Sequence, residues 1–236
     1  MNSNNQATDL DQLERSLRAG DELDPEAWTR IRDDLAGRAD AAGLVDVAFE
    51  RHDSPLGTML IGATNEGLVR VGLPIEGEDA VLAELAERVS ARVLFAPRAS
   101  VADARRQLDQ YFAGRRRRFE LELDWRLTKG FRRSVLLATA RIPYGTTASY
   151  REVATEAGSP KAVRAAGSAL ANNPLPILVP CHRVLRSGGE LGSYLGGPEA
   201  KARLLELEAS MRPAGRRRST RRSHLAPPGP QRRRRR

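Results

Sequence analysis

The chain has 236 residues, 40% of them hydrophobic, which suits one or two small domains with real cores; no run reaches transmembrane length. A single cysteine, Cys181, excludes an internal disulfide and, with only His52, His182 and His224 to join it, a cysteine-rich zinc site. The net charge of +9 sits late in the chain: residues 212–236 hold 11 Arg and no acid and residues 125–211 are net +6, against −5 for residues 1–45 and −3 for residues 46–124, so a polyanion would meet the C-terminal half.

The opening residues "MNSNNQATDLDQLERSLRAG" are polar and acidic, unlike a signal peptide, and the chain reads as cytoplasmic. Leu10, Leu13 and Leu17 recur at helical spacing, as do Trp28, Ile31 and Leu35 after an Asp24–Pro25 start signal. Residues 1–45 therefore read as an acidic helical extension, packed on the next domain or serving as a partner-binding arm. From residue 46 the pattern "VDVAFERHDSPLGTMLIGATNEGLVRVGLP" alternates and breaks at "SPLG" and "NEG", which predicts three strands joined by turns. Helices are expected over 78–90 and 99–112, then a strand in which Phe119, Leu121 and Leu123 alternate. Together these make an α/β domain over 46–124. The run Arg115–Arg118 reads as a solvated edge or a phosphate contact.

Residues 125–211 look mainly helical. "TKGFRRSVLLATARIPYG" is amphipathic. "TTASYREVATEAG" offers Ser149 as a cap and Gly158 as a stop, and "SPKAVRAAGSALANN" restarts with Ser159 as N-cap and Pro160 at the first helical position. Two helices joined by a tight turn form a helix-turn-helix pattern whose second helix is rich in small residues, Ala165 and Ser168 among them. Such a surface allows close backbone approach to a target or to another helix. Residues 212–236 have almost no apolar content and are expected to be a disordered Arg-rich tail.

Cys181 follows "PILVP", a short apolar run ending in a proline that can aim the next residue. His182 adjoins it, and Glu206 and Glu208 lie on a later helical segment, 198–209. A Cys–His–Glu set would activate the thiol: the imidazole takes its proton and a carboxylate fixes the tautomer, leaving a cysteine of lowered pKa. A buried, inert thiol in a DNA-binding module and a thiol hydrolase are the other readings.

"PCHRV" at 180–184, with "IPYGTTASYREVA", "SPKAVRAAGSALANNPLPILVPCHRVL" and "GSYLGG" in order and at matching spacing, resembles the O6-alkylguanine-DNA alkyltransferases, also called methylated-DNA–protein-cysteine methyltransferases. The resemblance covers roughly residues 46–211. It implies an α+β fold: a small α/β N-terminal domain followed by a helical, winged helix-turn-helix-like DNA-binding alkyltransferase domain. The implied partner is double-stranded DNA containing O6-alkylguanine, met through the minor groove by a monomer, with no cofactor, metal or membrane. The guanine would be flipped out of the stack and its alkyl group transferred, once and irreversibly, to Cys181.

By matching positions, the resemblance makes His182 the water-mediated base, Glu208 its orienting carboxylate and Asn173 the brace of the active-site turn. Tyr150 would press on the target's phosphate, and Arg164 would enter the stack beside the groove-facing Ala165 and Ser168. Tyr194 would line the guanine pocket, and the backbone around Val184 would accept from the guanine edge. Leu195 stands where some members have a small polar residue, which bears on the size of the pocket.

Overall fold

A computed structural model describes residues 24–211. The helix expected around Leu10–Leu17 and the Arg-rich tail lie outside the described residues. Helix α1 (Pro25–Ala41) starts where the signals place it, with the Asp24 carboxylate accepting from the backbone of Glu26 and Ala27 at 3.2 Å. Its packing face differs from the predicted stripe. Trp28 and Leu35 stay exposed, and contact runs through Ala36 and Ala39 onto Val45, Ala48 and Ala96. The Asp40–Arg98 ion pair reinforces this contact, and small alanines let the helix approach more closely than Trp or Leu would.

Strands β1 (Val47–Ser54), β2 (Gly57–Thr64) and β3 (Gly67–Gly72) form the expected antiparallel meander, with a register shift at Gly62/Ala63. Helix α2 (Glu78–Arg88) leads to a short strand that the pattern did not disclose, β4 (Val93–Phe95). It pairs parallel with β1 and gives the sheet order β3-β2-β1-β4. Three residues are too few to show an alternation. Helix α3 (Ala99–Phe112) lays Val101, Ala104, Leu108 and Tyr111 into the core.

The strand expected at Phe119–Leu123 is a correction. The segment is extended and its three apolar residues face the core, but it makes only one bridge, Leu68 with Leu123. Gly67 permits this crossing: its φ is +137°, and a Cβ there would lie 2.5 Å from the Glu122 carbonyl oxygen.

Helix α4 (Gly130–Ala140) opens the helical half. A short strand, β5 (Ala148–Ser149), runs into α5 (Tyr150–Glu156), where Ser149 and Glu152 make a reciprocal capping box and Gly158, at φ +84°, follows the C-terminal turn. Helix α6 (Val163–Ala171) begins later than expected. Residues 159–162 form a turn closed by Ala162 N–H to the Ser159 carbonyl at 2.9 Å, so Ala162, not Ser159, is the N-cap. Strand β6 (Val184–Leu185) pairs parallel with β5, and α7 (Gly197–Ser210) closes the described chain.

One hydrophobic cluster runs from Met59, Ile61 and Leu68 on the sheet, through Leu108 and Tyr111 on α3, to Val135, Leu170, Val179 and Cys181. The loop carrying the thiol is thus anchored in a core built by both halves. The backbone joins them too: Val71 N–H on β3 donates to the Pro174 carbonyl at 2.8 Å.

Candidate active site

Helix α6 ends before Asn173, and Pro174, Pro176 and Pro180 forbid a continuing helix. The chain turns sharply instead. Ile177, buried and β-branched, holds φ at +73°, a left-handed conformation that costs on the order of 1–3 kcal/mol. Asn173, itself buried, holds the turn from inside. Its Oδ1 accepts from Leu175 N–H at 3.0 Å, and its Nδ2 donates to the Val179 carbonyl at 2.9 Å and to Cys181 Sγ at 3.1 Å. Residues Cys181–Arg183 then make a single 3-10 turn, closed by Arg183 N–H to the Pro180 carbonyl at 2.9 Å.

His182 is fully buried, and its Nε2 lies 2.9 Å from Glu208 Oε1. Glu208 sits on the inner face of α7, whereas Glu206 is exposed, so the carboxylate at the imidazole is Glu208. The same carboxylate accepts from Tyr111 Oη at 2.8 Å, Gly145 N–H at 2.9 Å, Arg183 Nη2 at 2.8 Å and Arg183 Nε at 3.0 Å. Arg183 Nη1 also donates to the Ile142 carbonyl at 2.6 Å. Burial alone would raise the Glu208 pKa, but hydrogen bonds from His182 and Arg183 outweigh it and hold the group at about 2.

Charge balance fixes the protonation of this cluster. One carboxylate already faces one guanidinium, so a second cation in the same buried space would be uncompensated. Burial accordingly lowers the His182 pKa despite Glu208. A neutral His182 donates Nε2–H to the carboxylate, which leaves Nδ1 as the basic nitrogen. Nδ1 is buried and has no hydrogen-bond partner among the described residues.

The expected depression of the Cys181 pKa is a correction. Burial pushes this thiol up to about 11, and the hydrogen bond from Asn173 and the charge of Lys201 only partly oppose it. The resting site is a neutral thiol beside a neutral imidazole. Alkylation of the free protein by iodoacetamide should therefore be slow at pH 7 and still rising at pH 10. A plateau below pH 8 would show a preformed thiolate.

The other predicted residues surround this centre. Tyr194 meets His182 edge to face, with ring centres 6.3 Å apart, and its buried hydroxyl has no partner among the described residues. Tyr150 lies against Gly167 on α6, and its hydroxyl donates to the Ser193 carbonyl at 3.3 Å. A Cβ on Gly192, at φ +55°, would come within 2.8 Å of that hydroxyl, so the loop over Tyr150 needs glycine there. Arg164, Ala165 and Ser168 share one exposed face of α6, while Ala166, Ala169 and Leu170 face the core. The Val184 carbonyl accepts from Lys201 Nζ at 2.6 Å and has a second lone pair to offer.

Sequence reasoning missed four participants. Arg183 stood inside the quoted motif, next to His182. Lys201 is fully buried, on the same face of α7 as Leu204 and Glu208, with a pKa that burial lowers to about 8; a lysine in phase with an apolar face was its signal. Tyr111 reads as one more core residue of α3, and the Gly145 backbone N–H gives no signal in a sequence.

A sheet domain and a helix-turn-helix thus share one core, with a buried cysteine on a proline-rich turn and a His–Glu–Arg cluster behind it. Two family models match the chain: 6-O-methylguanine DNA methyltransferase, ribonuclease-like domain, over residues 47–125, and 6-O-methylguanine DNA methyltransferase, DNA binding domain, over residues 130–210. A methylated-DNA–protein-cysteine methyltransferase of Mycobacterium tuberculosis is 50% identical over 108 residues; the match covers 46% of this chain and 65% of that protein's length. One from Methanosarcina acetivorans is 39% identical over 158 residues, covering 67% of this chain and 96% of that protein. The crystal structure of Mycobacterium tuberculosis OGT in complex with DNA is similar with a TM-score of 0.58 at 36% identity, covering 71% of this chain and 96% of that one. The chain belongs to the 6-O-methylguanine DNA methyltransferase family.

Proposed function

We propose that this protein repairs DNA by moving the alkyl group of an O6-alkylguanine onto Cys181, one lesion per molecule. The observation that carries the proposal is the chain's single cysteine, held by Asn173 in a tight turn directly after a helix-turn-helix, with the His182–Glu208 pair at the next residue. The exposed face of α6 lies in the minor groove, with Ala165 and Ser168 allowing close approach. Arg164 takes the place of the extruded guanine, and Tyr150 presses on the backbone of the flipped nucleotide. The Asn173–Cys181 and His182–Glu208 contacts close within a single copy, which supports action as a monomer.

In the bound state the target base covers the thiol, Tyr194 lines its pocket and the Val184 carbonyl meets its edge. Cys181 Sγ attacks the alkyl carbon in line with the bond to O6. The S–C bond forms as the C–O6 bond breaks, and the electron pair of that bond stays with the guanine. The thiol proton passes to His182 Nδ1 through a water, and the guanine takes up one proton in return as its keto form. Because the thiol is protonated at rest, ionisation belongs to the bound complex rather than to the free protein. The product is a thioether, which has no reductive route back.

Peptide mapping after reaction with methylated duplex should place one methyl on Cys181 and nowhere else. The same measurement separates flipping from chemistry. Arg164→Ala should slow repair of duplex by roughly 10²-fold, because extrusion costs a few kcal/mol, yet change reaction with free O6-benzylguanine little. Equal losses on both substrates would remove Arg164 from the flipping step.

A further inference from the structure

A groove of about 600 Å³ lies behind the active-site turn, between the 117–123 segment and the end of α4. Neither Cys181 nor any residue assigned to the DNA-facing surface lines it. Its floor is apolar and aromatic, with Phe119, Leu121 and Tyr144 among the lining, and four arginines reach it: Arg117, Arg118, Arg141 and Arg183. Two of these are neutralised, Arg141 by Glu156 and Arg183 by Glu208. The other two have no carboxylate partner among the described residues; Arg117 spends one N–H on the Met211 carbonyl at 2.8 Å.

The guanidinium of Arg117 stands 5.9 Å from the centre of the Tyr144 ring, and that of Arg183 stands 5.6 Å from it. The Tyr144 hydroxyl is buried and has no partner among the described residues, so the wall of the groove holds an unused polar group beside one unneutralised cation, Arg117. Like charges gathered over a low-dielectric floor are stabilised by an anion, and the planar fork of arginine suits phosphate oxygens. The apolar floor adds an affinity for a flat ring, and the volume falls in the range of small-molecule sites.

We propose that this groove is a second binding site, separate from the exposed face of α6, for a phosphate ester carrying an aromatic base: a nucleotide, free or within a single strand. Arg117 and Arg118 hold the phosphate, and the base lies on the apolar floor. The site abuts Pro180 and Arg183, so its occupant touches the back of the turn that carries Cys181. The Arg115–Arg118 run thereby acquires a role that a solvated edge would not have.

The test uses the full chain and calorimetric titration with deoxyadenosine monophosphate and, separately, with a short single-stranded oligonucleotide free of alkylated guanine. Arg118→Ala removes a side chain with no polar side-chain partner among the described residues, so the fold should survive. It should weaken binding by about tenfold, the worth of one charged hydrogen bond, and Arg117→Ala combined with it should weaken binding further. Alkyl transfer from the free base should be unchanged in Arg118→Ala. Loss for both ligands assigns the site to a nucleotide from either source, and loss for the oligonucleotide alone assigns it to a strand. Photolabelling with an azido-adenosine monophosphate should mark peptides holding residues 117–123 or 141–144. Unchanged affinity in the double variant, or label confined to residues 212–236, would overturn the proposal.

Discussion

Replacing Cys181 by alanine is expected to abolish alkyl transfer outright while leaving the fold and DNA binding intact. The chain has no second thiol, so no neighbour can take over the acceptor role and the loss has no residual floor. The structural cost should be moderate. Cys181 is one small member of a large core, and Asn173 Nδ2 keeps its bond to the Val179 carbonyl. Its second N–H loses the sulfur acceptor and is left buried without a partner, so a loss of about 1–3 kcal/mol is the scale to expect. The exposed face of α6 is untouched. Intact-mass analysis with methylated duplex and a DNA titration of the same variant measure the two halves. Transfer that persists in Cys181→Ala would remove the thiol from the chemistry. Unmodified wild-type protein would mean a binding module, and repeated turnover by wild type would mean a hydrolase.

How far the sequence discloses this site differs from residue to residue, for physical reasons. The meander over 47–72 and the capping box at Ser149 are local: two-residue periodicity and cap chemistry write them into adjacent letters. Motif order is what singled out Cys181, His182, Asn173 and Glu208, and the geometry joins them as two pairs, Asn173 with Cys181 and His182 with Glu208. What a sequence hides is contact between distant segments. Nothing near Tyr111 shows that its hydroxyl crosses to α7, and the parallel pairing of β4 depends on a sheet edge rather than on its own three residues. The late start of α6 is a local misreading: Ser159 and Pro160 carry start signals, but the chain uses them for a turn. The direction of the Cys181 shift was missed because burial is a property of the packed core. A histidine neighbour suggests a thiolate, but here burial, with a smaller contribution from the Arg183 charge, lowers the pKa of the imidazole.

That arginine makes Glu208→Gln the most informative change after the thiol. In wild type the carboxylate neutralises Arg183, and breaking a buried pair from one side costs about 3–5 kcal/mol because the surviving charge is left uncompensated. Acid should act in the same sense. The folded pKa of Glu208, about 2, lies below its ordinary 4.5, so the stability it contributes is fully present above pH 4.5 and is lost as pH falls toward 2, roughly 3 kcal/mol in all. His182 adds to this limb, since its folded pKa is also lowered and its share begins to fall below pH 6.5. On the alkaline side two groups oppose each other: the folded pKa of Cys181, about 11, lies above its ordinary 9.0, so its contribution is lost as pH rises from 9 toward 11, whereas the folded pKa of Lys201, about 8, lies below its ordinary 10.5, so its contribution grows over pH 8 to 10.5. Urea midpoints across pH should therefore fall steeply on the acid side and little between pH 8 and 10.5. Glu208→Gln should lower the plateau and flatten the acid limb between pH 4.5 and 2, with the alkaline side unchanged. The glutamine oxygen can still accept from His182 Nε2–H, so the tautomer survives, but the proton received at Nδ1 is no longer balanced by a carboxylate. Alkyl transfer by the folded variant should slow by roughly 10²-fold. An acid limb of unchanged slope would show that Glu208 is not the group titrating there. A wild-type transfer rate would detach the carboxylate from the proton's path.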